Sequence, residues 1–294
     1  MTKTGLFEVK RSIKQKIYFH NAKREDNRRR KEIEAKIMSM HNDWLSKHET
    51  VDVIVSMTSY GKRVEKFAAY ALFSILQQTF VPKRIVLNLD KTKWNDENIP
   101  NIIKKLKLIG VTIQYVCDEG PYTKFLPTLK MNSNDIIITV DDDIYYDNML
   151  VEELYEAYMN SNKQSIICRN GARLLKIETK YLPYMEQPHI STTDDAPGIP
   201  FGVSGVLYPP HIFDDEIFNS SVYKKICPST DDLWFGIMAL RNNVYVKYVH
   251  NNSWRGIVVD KNEEFNQVGS TAMHFSNDEK ANTIFKNLID YYHL

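Results

Sequence analysis

The stretch Asp135-Ile136-Ile137-Ile138-Thr139-Val140-Asp141-Asp142-Asp143-Ile144-Tyr145 decides how the rest of the chain is read. Its apolar, β-branched run predicts a strand buried on both faces. That strand delivers three carboxylates to its carboxyl end. Three adjacent acids repel one another, and burying them unpaired is costly. A divalent cation is the natural compensation. Hard oxygen ligands suit Mg²⁺ or Mn²⁺, with a diphosphate completing the coordination sphere. The plainer alternative is an acidic helix cap or a solvated turn. A Walker-B strand would need a GxxxxGK[ST] loop, and Gly61-Lys62-Arg63 lacks both the first glycine and the Ser/Thr.

Working outward, Val51–Met57, Arg84–Leu89 and Val111–Val116 read as further apolar strands. Helical patterns over Val64–Gln78, from an Asp96 cap to about Leu108, over Thr123–Met131 and over Asn148–Asn162 separate or follow them. Such alternation predicts an α/β fold: a Rossmann-like, mainly parallel sheet flanked by helices. Ligands of such sheets bind beyond the carboxyl ends of the strands. After Ser165–Arg169, a candidate fifth strand, the alternation fails. Tyr181 to Pro210 is rich in Pro and Gly without clear periodicity, as a lid or binding loop would be. Asp231–Arg241 reads as a helix, Val244–Val249 as a strand and Asp278–Tyr292 as a closing helix.

The 294 residues are 43% apolar and 26% charged, which suits a folded globular chain and argues against general disorder. Three scattered cysteines, Cys117, Cys168 and Cys227, form no CxxC pair and read as small buried hydrophobes in a reducing compartment. No apolar run reaches the roughly 18 residues of a membrane span, and no signal peptide is evident. The expected location is the cytoplasm. The net charge of +1 conceals an asymmetry: residues 1–40 carry +7 and the remainder −6. Residues 8–48 lack Gly and Pro and read as helical, with Ile33, Ile37, Met40 and Trp44 as one apolar stripe. Packing of this basic N-terminal helical arm on the body is the first reading. A helix lying on an anionic membrane surface, at the inner leaflet, is the second. The densest basic run, Lys23–Lys36, contains no aromatic residue to stack on a base, so nucleic acid is not an expected partner.

Three further signals sit where the first strand-end rule points. Thr58-Ser59-Tyr60-Gly61-Lys62-Arg63 follows the first strand and could grip a nucleoside and its phosphates; the plain reading is an ordinary turn with surface charges. Lys124 in Pro121-Tyr122-Thr123-Lys124 starts a helix, beside its positive end, where a diphosphate could sit. Pro228-Ser229-Thr230-Asp231-Asp232-Leu233-Trp234 opens a helix with two acids. These read either as an N-cap or as a general base for an acceptor hydroxyl. Upstream, the small-residue turn Gly202-Val203-Ser204-Gly205 leads to Tyr208.

With these segments in order, the chain resembles a family 2-like glycosyltransferase of GT-A fold. The resemblance runs from Val51 to Arg241. Thr58-Ser59-Tyr60 with Arg63, Gln78-Thr79 before Pro82, Gly120-Pro121-Tyr122-Thr123-Lys124 and Asp141-Asp142-Asp143-Ile144-Tyr145 carry it, together with Gly205-Val206-Leu207-Tyr208-Pro209-Pro210 and Asp231-Asp232-Leu233-Trp234. It implies a basic arm at 1–48 and a transferase domain at 49–294, with a nucleotide half at 49–145 and an acceptor half at 146–294. Thr58, Ser59, Tyr60, Arg63, Asp90, Lys124, Asp141 and Asp142 then fall among the nucleotide contacts. Asp143 and Asp141 become ligands of Mn²⁺ or Mg²⁺, with His250 as a further candidate and His274 behind it. A lone histidine is more often structural. Ser204, Gly205, Tyr208 and Trp234 become acceptor contacts. Asp232 becomes the base and Asp231 its neighbour, although the family more often has Glu first, which leaves the division between them open.

The implied reaction moves a sugar, with inversion, from a nucleotide-diphosphate donor (a UDP-sugar by analogy) to a hydroxyl on a glycan or lipid-linked acceptor. The implied setting is surface polysaccharide assembly at the cytoplasmic leaflet. Two other classes remain in view. A sugar-nucleotide pyrophosphorylase would want a Gly-rich loop where this chain has Thr58-Ser59-Tyr60-Gly61. A non-catalytic peripheral-membrane scaffold on a transferase fold would bind vesicles through residues 1–48 and bind no UDP.

Overall fold

The computed structural model describes residues 24–189, 193–249, 256–259 and 278–294. Helix α1 spans residues 24–39. The first half then runs β1 (Val51–Thr58), α2 (Lys62–Lys66), α3 (Ala68–Leu76), β2 (Pro82–Asp90), α4 (Asn101–Ile109), β3 (Thr112–Val116), α5 (Leu126–Met131), β4 (Ile136–Thr139) and β5 (Ile144–Tyr145). The second half contains α6 (Leu150–Met159), β6 (Ile166–Cys168), β7 (Gly171–Arg173), β8 (Lys176–Ile177), β9 (Lys180–Tyr181), β10 (Gly198–Pro200) and β11 (Val206–Tyr208). It closes with α7 (Ser220–Ile226), α8 (Asp231–Arg241), β12 (Val246–Tyr248), β13 (Ile257–Val258) and α9 (Asp278–Tyr292).

A seven-stranded sheet in the order β12-β6-β11-β4-β1-β2-β3 forms the centre. It is mainly parallel: only β11 runs against its neighbours, β4 and β6. Side chains alternate across the sheet, as the strand period of two requires. Val53, Val55 and Ile138 enter one core, under α1, α3, α4 and α6. Ile54 and Ile137 enter the other, under α5, α7, α8 and α9. Burial of each such side chain contributes about 1.5–3 kcal/mol, so both faces stabilise the sheet. The apolar strands were therefore a sound guide to a doubly covered sheet.

Several local expectations change. The helix expected over Val64–Gln78 breaks at Phe67 into α2 and α3. Asp96 caps nothing: it binds Lys107 Nζ and Tyr115 Oη, each at 2.7 Å, and α4 begins after Pro100. Thr123 lies in a short 3-10 turn, Gly120–Lys124, ahead of α5. Within the segment that lacked periodicity, β11 fills the gap between β4 and β6. Three residues are too few to show an alternation. Cys168 and Cys227 are buried, whereas Cys117 is exposed, and all three thiols are free.

Helix α1 spends its apolar stripe on the body. Ile33 and Ile37 are buried in the first core, with Met40 and Trp44 packed against it. Lys105 Nζ donates to the Met40 carbonyl at 2.7 Å, and the Asp43 amide donates to Leu108 O at 2.7 Å. The stripe that a membrane-lying helix would insert is thus already covered. No helix among the described residues is long and apolar enough to cross a membrane.

Candidate active site

Because β1 and β4 are parallel, with Ser56 beside Thr139, their carboxyl ends open at one edge of the sheet. A cleft of about 390 Å³ lies there. Thr58, Tyr60, Arg63, Lys124, Asp141, Asp142, Asp143 and Asp231 all line it. Residues from four separate signals in the sequence therefore share one wall.

A buried polar group beneath the cleft fixes the lysine. Ser56 Oγ donates to the Lys124 carbonyl at 2.6 Å. Asn88 Nδ2 donates to Ser56 Oγ at 3.2 Å and to Thr128 Oγ1 at 3.0 Å. These hydroxyls tie the turn carrying Lys124 to β1 and β2. Lys124 Nζ then reaches Asp141 Oδ1 at 3.0 Å, Asp231 Oδ2 at 2.9 Å and Asp232 Oδ1 at 4.0 Å. Burial works against its charge, but the three aspartates outweigh it and hold the ammonium well above the ordinary lysine pKa. A cation bridging two carboxylate groups from distant parts of the chain is the central feature of the site.

Arg63 serves the other end of the aspartate run. Its guanidinium pairs with Asp142 through Nη2 and Nε, and with Asp143 Oδ2 at 3.0 Å. Ser59 Oγ donates to Asp142 Oδ2 at 2.6 Å. Asp142 is thus a buried anchor, and Ser59 and Arg63 hold it; all three were expected on the nucleotide. Asp143 is only partly engaged. Burial pushes its carboxyl above the usual range; Arg63 opposes this, and Asp142 and Asp141 add to it.

The helix-start acids differ from each other. Asp231 is buried at 7% exposure, and burial raises its pKa against the pull of Lys124. Asp232 accepts from the Gly202 amide through Oδ2 at 2.9 Å, while its Oδ1 has no hydrogen-bond partner among the described residues. Burial and the charge of Asp231 push its pKa up to about 7. A carboxylate so placed is suited to accept a proton near neutrality. A Cβ at Gly202 would lie 2.7 Å from both Asp232 Oδ1 and Lys124 Nζ, so a larger residue there would push these two side-chain ends out of their places.

Five aspartates, Asp141, Asp142, Asp143, Asp231 and Asp232, face two cations, Lys124 and Arg63, so the site carries excess negative charge. Among the described residues, no three His, Cys, Asp or Glu side chains converge on a ready-made metal position. One or two carboxylates with a substrate diphosphate are the mode expected of Mg²⁺, which keeps its remaining positions for water or phosphate. The oxygen donors of Asp143 and Asp141 fit that requirement. His250 and His274 lie outside the described residues.

The expected acceptor contacts need correction. Tyr208 is 1% exposed and stacks on Phe125, with ring centroids 4.2 Å apart. Trp234 is fully buried and donates its indole N–H to Ile217 O at 3.0 Å. Both are core residues, because β11 and α8 bury them in the second core. Gly205 has φ +82°, and a Cβ there would strike Leu150 at 2.7 Å. Its role is to turn the backbone. Ser204 is also buried, at 2% exposure, and its hydroxyl has no hydrogen-bond partner among the described residues. Asp90 is not among the cleft-lining residues: its carboxylate accepts from the Thr92 amide and hydroxyl at 2.9 and 2.8 Å, which holds its pKa low.

Three residues went unassigned in the sequence. Asp118 lines the cleft just beyond β3 and accepts from the Gly120 amide at 2.9 Å. It obeys the same strand-end rule that marked Asp141. Tyr146 Oη accepts from the Asp141 amide at 2.8 Å and donates to Val203 O at 3.2 Å, so one buried hydroxyl joins the aspartate turn to the Gly202 turn. Neither Tyr146 nor Gly202 announces its role locally, since each acts on a residue far away in sequence.

No protein-family model matches the chain, and no curated protein is similar to it in sequence. Among solved structures it is similar to the S. aureus TarS fragment 1–349, at 16% identity and a TM-score of 0.44, over 68% of this chain. The same fragment in complex with UDP matches at 15% identity and a TM-score of 0.44. The match spans 59% of the length of that fragment. CMP:2-keto-3-deoxy-manno-octonic acid synthetase, complexed with CTP, matches at 9% identity and a TM-score of 0.42, over 67% of this chain and 89% of that one.

Proposed function

We propose that the chain is a GT-A-type glycosyltransferase that moves a sugar from a nucleotide-diphosphate donor, UDP-linked, to a hydroxyl on a glycan or lipid-linked glycan. One observation carries this reading: Lys124, on the wall of the cleft, bridges Asp141 of the turn after β4 to Asp231 at the start of α8, with Asp232 next in sequence and 4.0 Å from the same ammonium. A donor site and a proton-accepting site are thereby adjacent. Glycosyl transfer needs both, because an anionic leaving group must be stabilised while an acceptor hydroxyl loses its proton.

In this reading Thr58, Tyr60 and Asp118 flank the nucleoside. Asp143, with Asp141, would hold Mn²⁺ or Mg²⁺. When bound, the cation supplies Lewis-acid charge to the leaving diphosphate. Lys124 adds fixed positive charge at the same place. Asp232 takes the proton from the acceptor hydroxyl as that oxygen attacks the anomeric carbon, from the face opposite the departing diphosphate, so configuration inverts. The Gly202 amide orients Asp232, and Asp231 anchors Lys124. Residues 49–145 supply the nucleotide side and 146–294 the acceptor side. A cytoplasmic setting beside the membrane, where lipid-linked acceptors are assembled, is part of the same proposal.

The test is turnover. The protein with Mn²⁺ and each of a set of UDP-sugars should release UDP from one or two of them at a rate above the protein-free blank, even where water is the only acceptor. Release of pyrophosphate from UTP and a sugar phosphate, without UDP release from any UDP-sugar, would overturn the reading.

A further inference from the structure

The aspartate turn is held from behind as well as from the cleft. β13 pairs with β5, immediately after the three aspartates, and the Val259 amide donates to the Asp143 carbonyl at 2.7 Å. The Val259 carbonyl accepts from Arg30 Nη2 of α1 at 3.3 Å. A second route uses an aromatic ring. The Arg30 guanidinium lies 5.8 Å from the centroid of Phe67, and that of Arg63 lies 5.1 Å from the same ring. Arg63 in turn holds Asp142 and Asp143. Helix α1 is itself fixed: Ile33 and Ile37 are buried, and Tyr70 Oη donates to Glu34 at 2.5 Å.

Adjacent carboxylates repel, so a turn carrying three of them needs restraint from outside to keep one geometry. Arginine suits such a post, because its planar fork can donate to a carbonyl while its face rests on aromatic rings. We propose that α1 is a brace for the aspartate turn, and that Arg30 is a positioning residue for the donor site, acting through Val259 and through Phe67 and Arg63. The basic N-terminal helix thus acquires a role inside the molecule. The binding part of this inference rests on the function proposed above; the mechanical part does not.

The experiment uses the full chain as wild type, R30A and R30K. Amide hydrogen exchange is followed in peptides covering 141–146, with 101–109 in α4 as internal reference. UDP affinity is measured with Mn²⁺. R30A should speed exchange at 141–146 about tenfold, leave 101–109 unchanged and weaken UDP about tenfold, the low end of what outlying partners of metal ligands contribute. R30K, which keeps a donor for the Val259 carbonyl, should recover at least half of the loss. Wild-type exchange at 141–146 in R30A overturns the brace, and so does an equal rise at 101–109, which would mark a general loss of stability. If the wild type binds no UDP, the functional reading fails and the exchange ratio alone decides the brace.

Discussion

The two halves of the sheet reach the same cleft by different means. From β1 to β4 the chain alternates strand and helix, and its parallel strands bring Thr58 and Asp141 to one edge by repetition alone. From α6 to β12 the strands are short, β11 is inserted antiparallel, and the cleft residues arrive through long-range contacts. In the first half, position along a strand is enough to find a site residue. In the second half, a residue's place depends on partners far away in sequence. The acidic start of α8 escapes this, because a helix opening is a local signal: α8 spans Asp231–Arg241, as read from the sequence.

The sharpest way to break this comparison is to remove the second half's contribution to chemistry. D232N should lower turnover by about 10²- to 10⁴-fold, the usual worth of a general base, and leave UDP affinity within about twofold of wild type. Steady-state rates with parallel UDP titrations measure both. Loss of UDP binding in D232N would place Asp232 on the donor side and erase the division between the halves.

The buried aromatics offer a contrast within the second half. W234A should cost about 3–5 kcal/mol of stability, as for other emptied core positions. Y208F keeps the ring and its stacking on Phe125, and should leave acceptor KM unchanged. Denaturant melts and acceptor saturation curves separate the two effects. A selective rise in acceptor KM for Y208F would return Tyr208 to the acceptor site.

A smaller effect concerns pH. The folded pKa of Asp232, about 7, lies above its unfolded value of 3.8, so the folded state binds that proton more tightly. Its contribution is fully present below about pH 4, is lost as pH rises toward 7, and is flat above that. Three pKa units set a ceiling of about 4 kcal/mol on the total change across that range. D232N should flatten it, and urea melts from pH 4.5 to 8 would show this. In turnover the same group acts in the opposite sense, since a base must be deprotonated: rates should rise through about pH 7 and then level off.

What the sequence made legible follows this division. Asp141 to Asp143 and Thr58 stand at the ends of apolar strands, and Lys124 stands just before a helix; such local patterns survive without knowledge of tertiary partners. Asp118 was equally legible by that rule. Tyr146, Gly202 and the inward burial of Tyr208 and Trp234 were not. The advantage of glycine at 202 arises because Asp232 Oδ1 and Lys124 Nζ stand where a Cβ would crowd them. An aromatic after a small-residue turn looks the same in sequence whether it lines a cleft or fills a core. Arg30 shows the same limit at the N-terminus: its charge suggested an external partner, and its position places it against Val259 and Phe67.

Calorimetric titration of UDP into wild type and D143A, with and without Mn²⁺, reads the donor site itself. Binding to wild type should require Mn²⁺ and fall at least tenfold in D143A, in line with the loss of a carboxylate metal ligand. Absence of binding by UDP, GDP, CDP and TDP with Mn²⁺ present would contradict a nucleotide-diphosphate donor site.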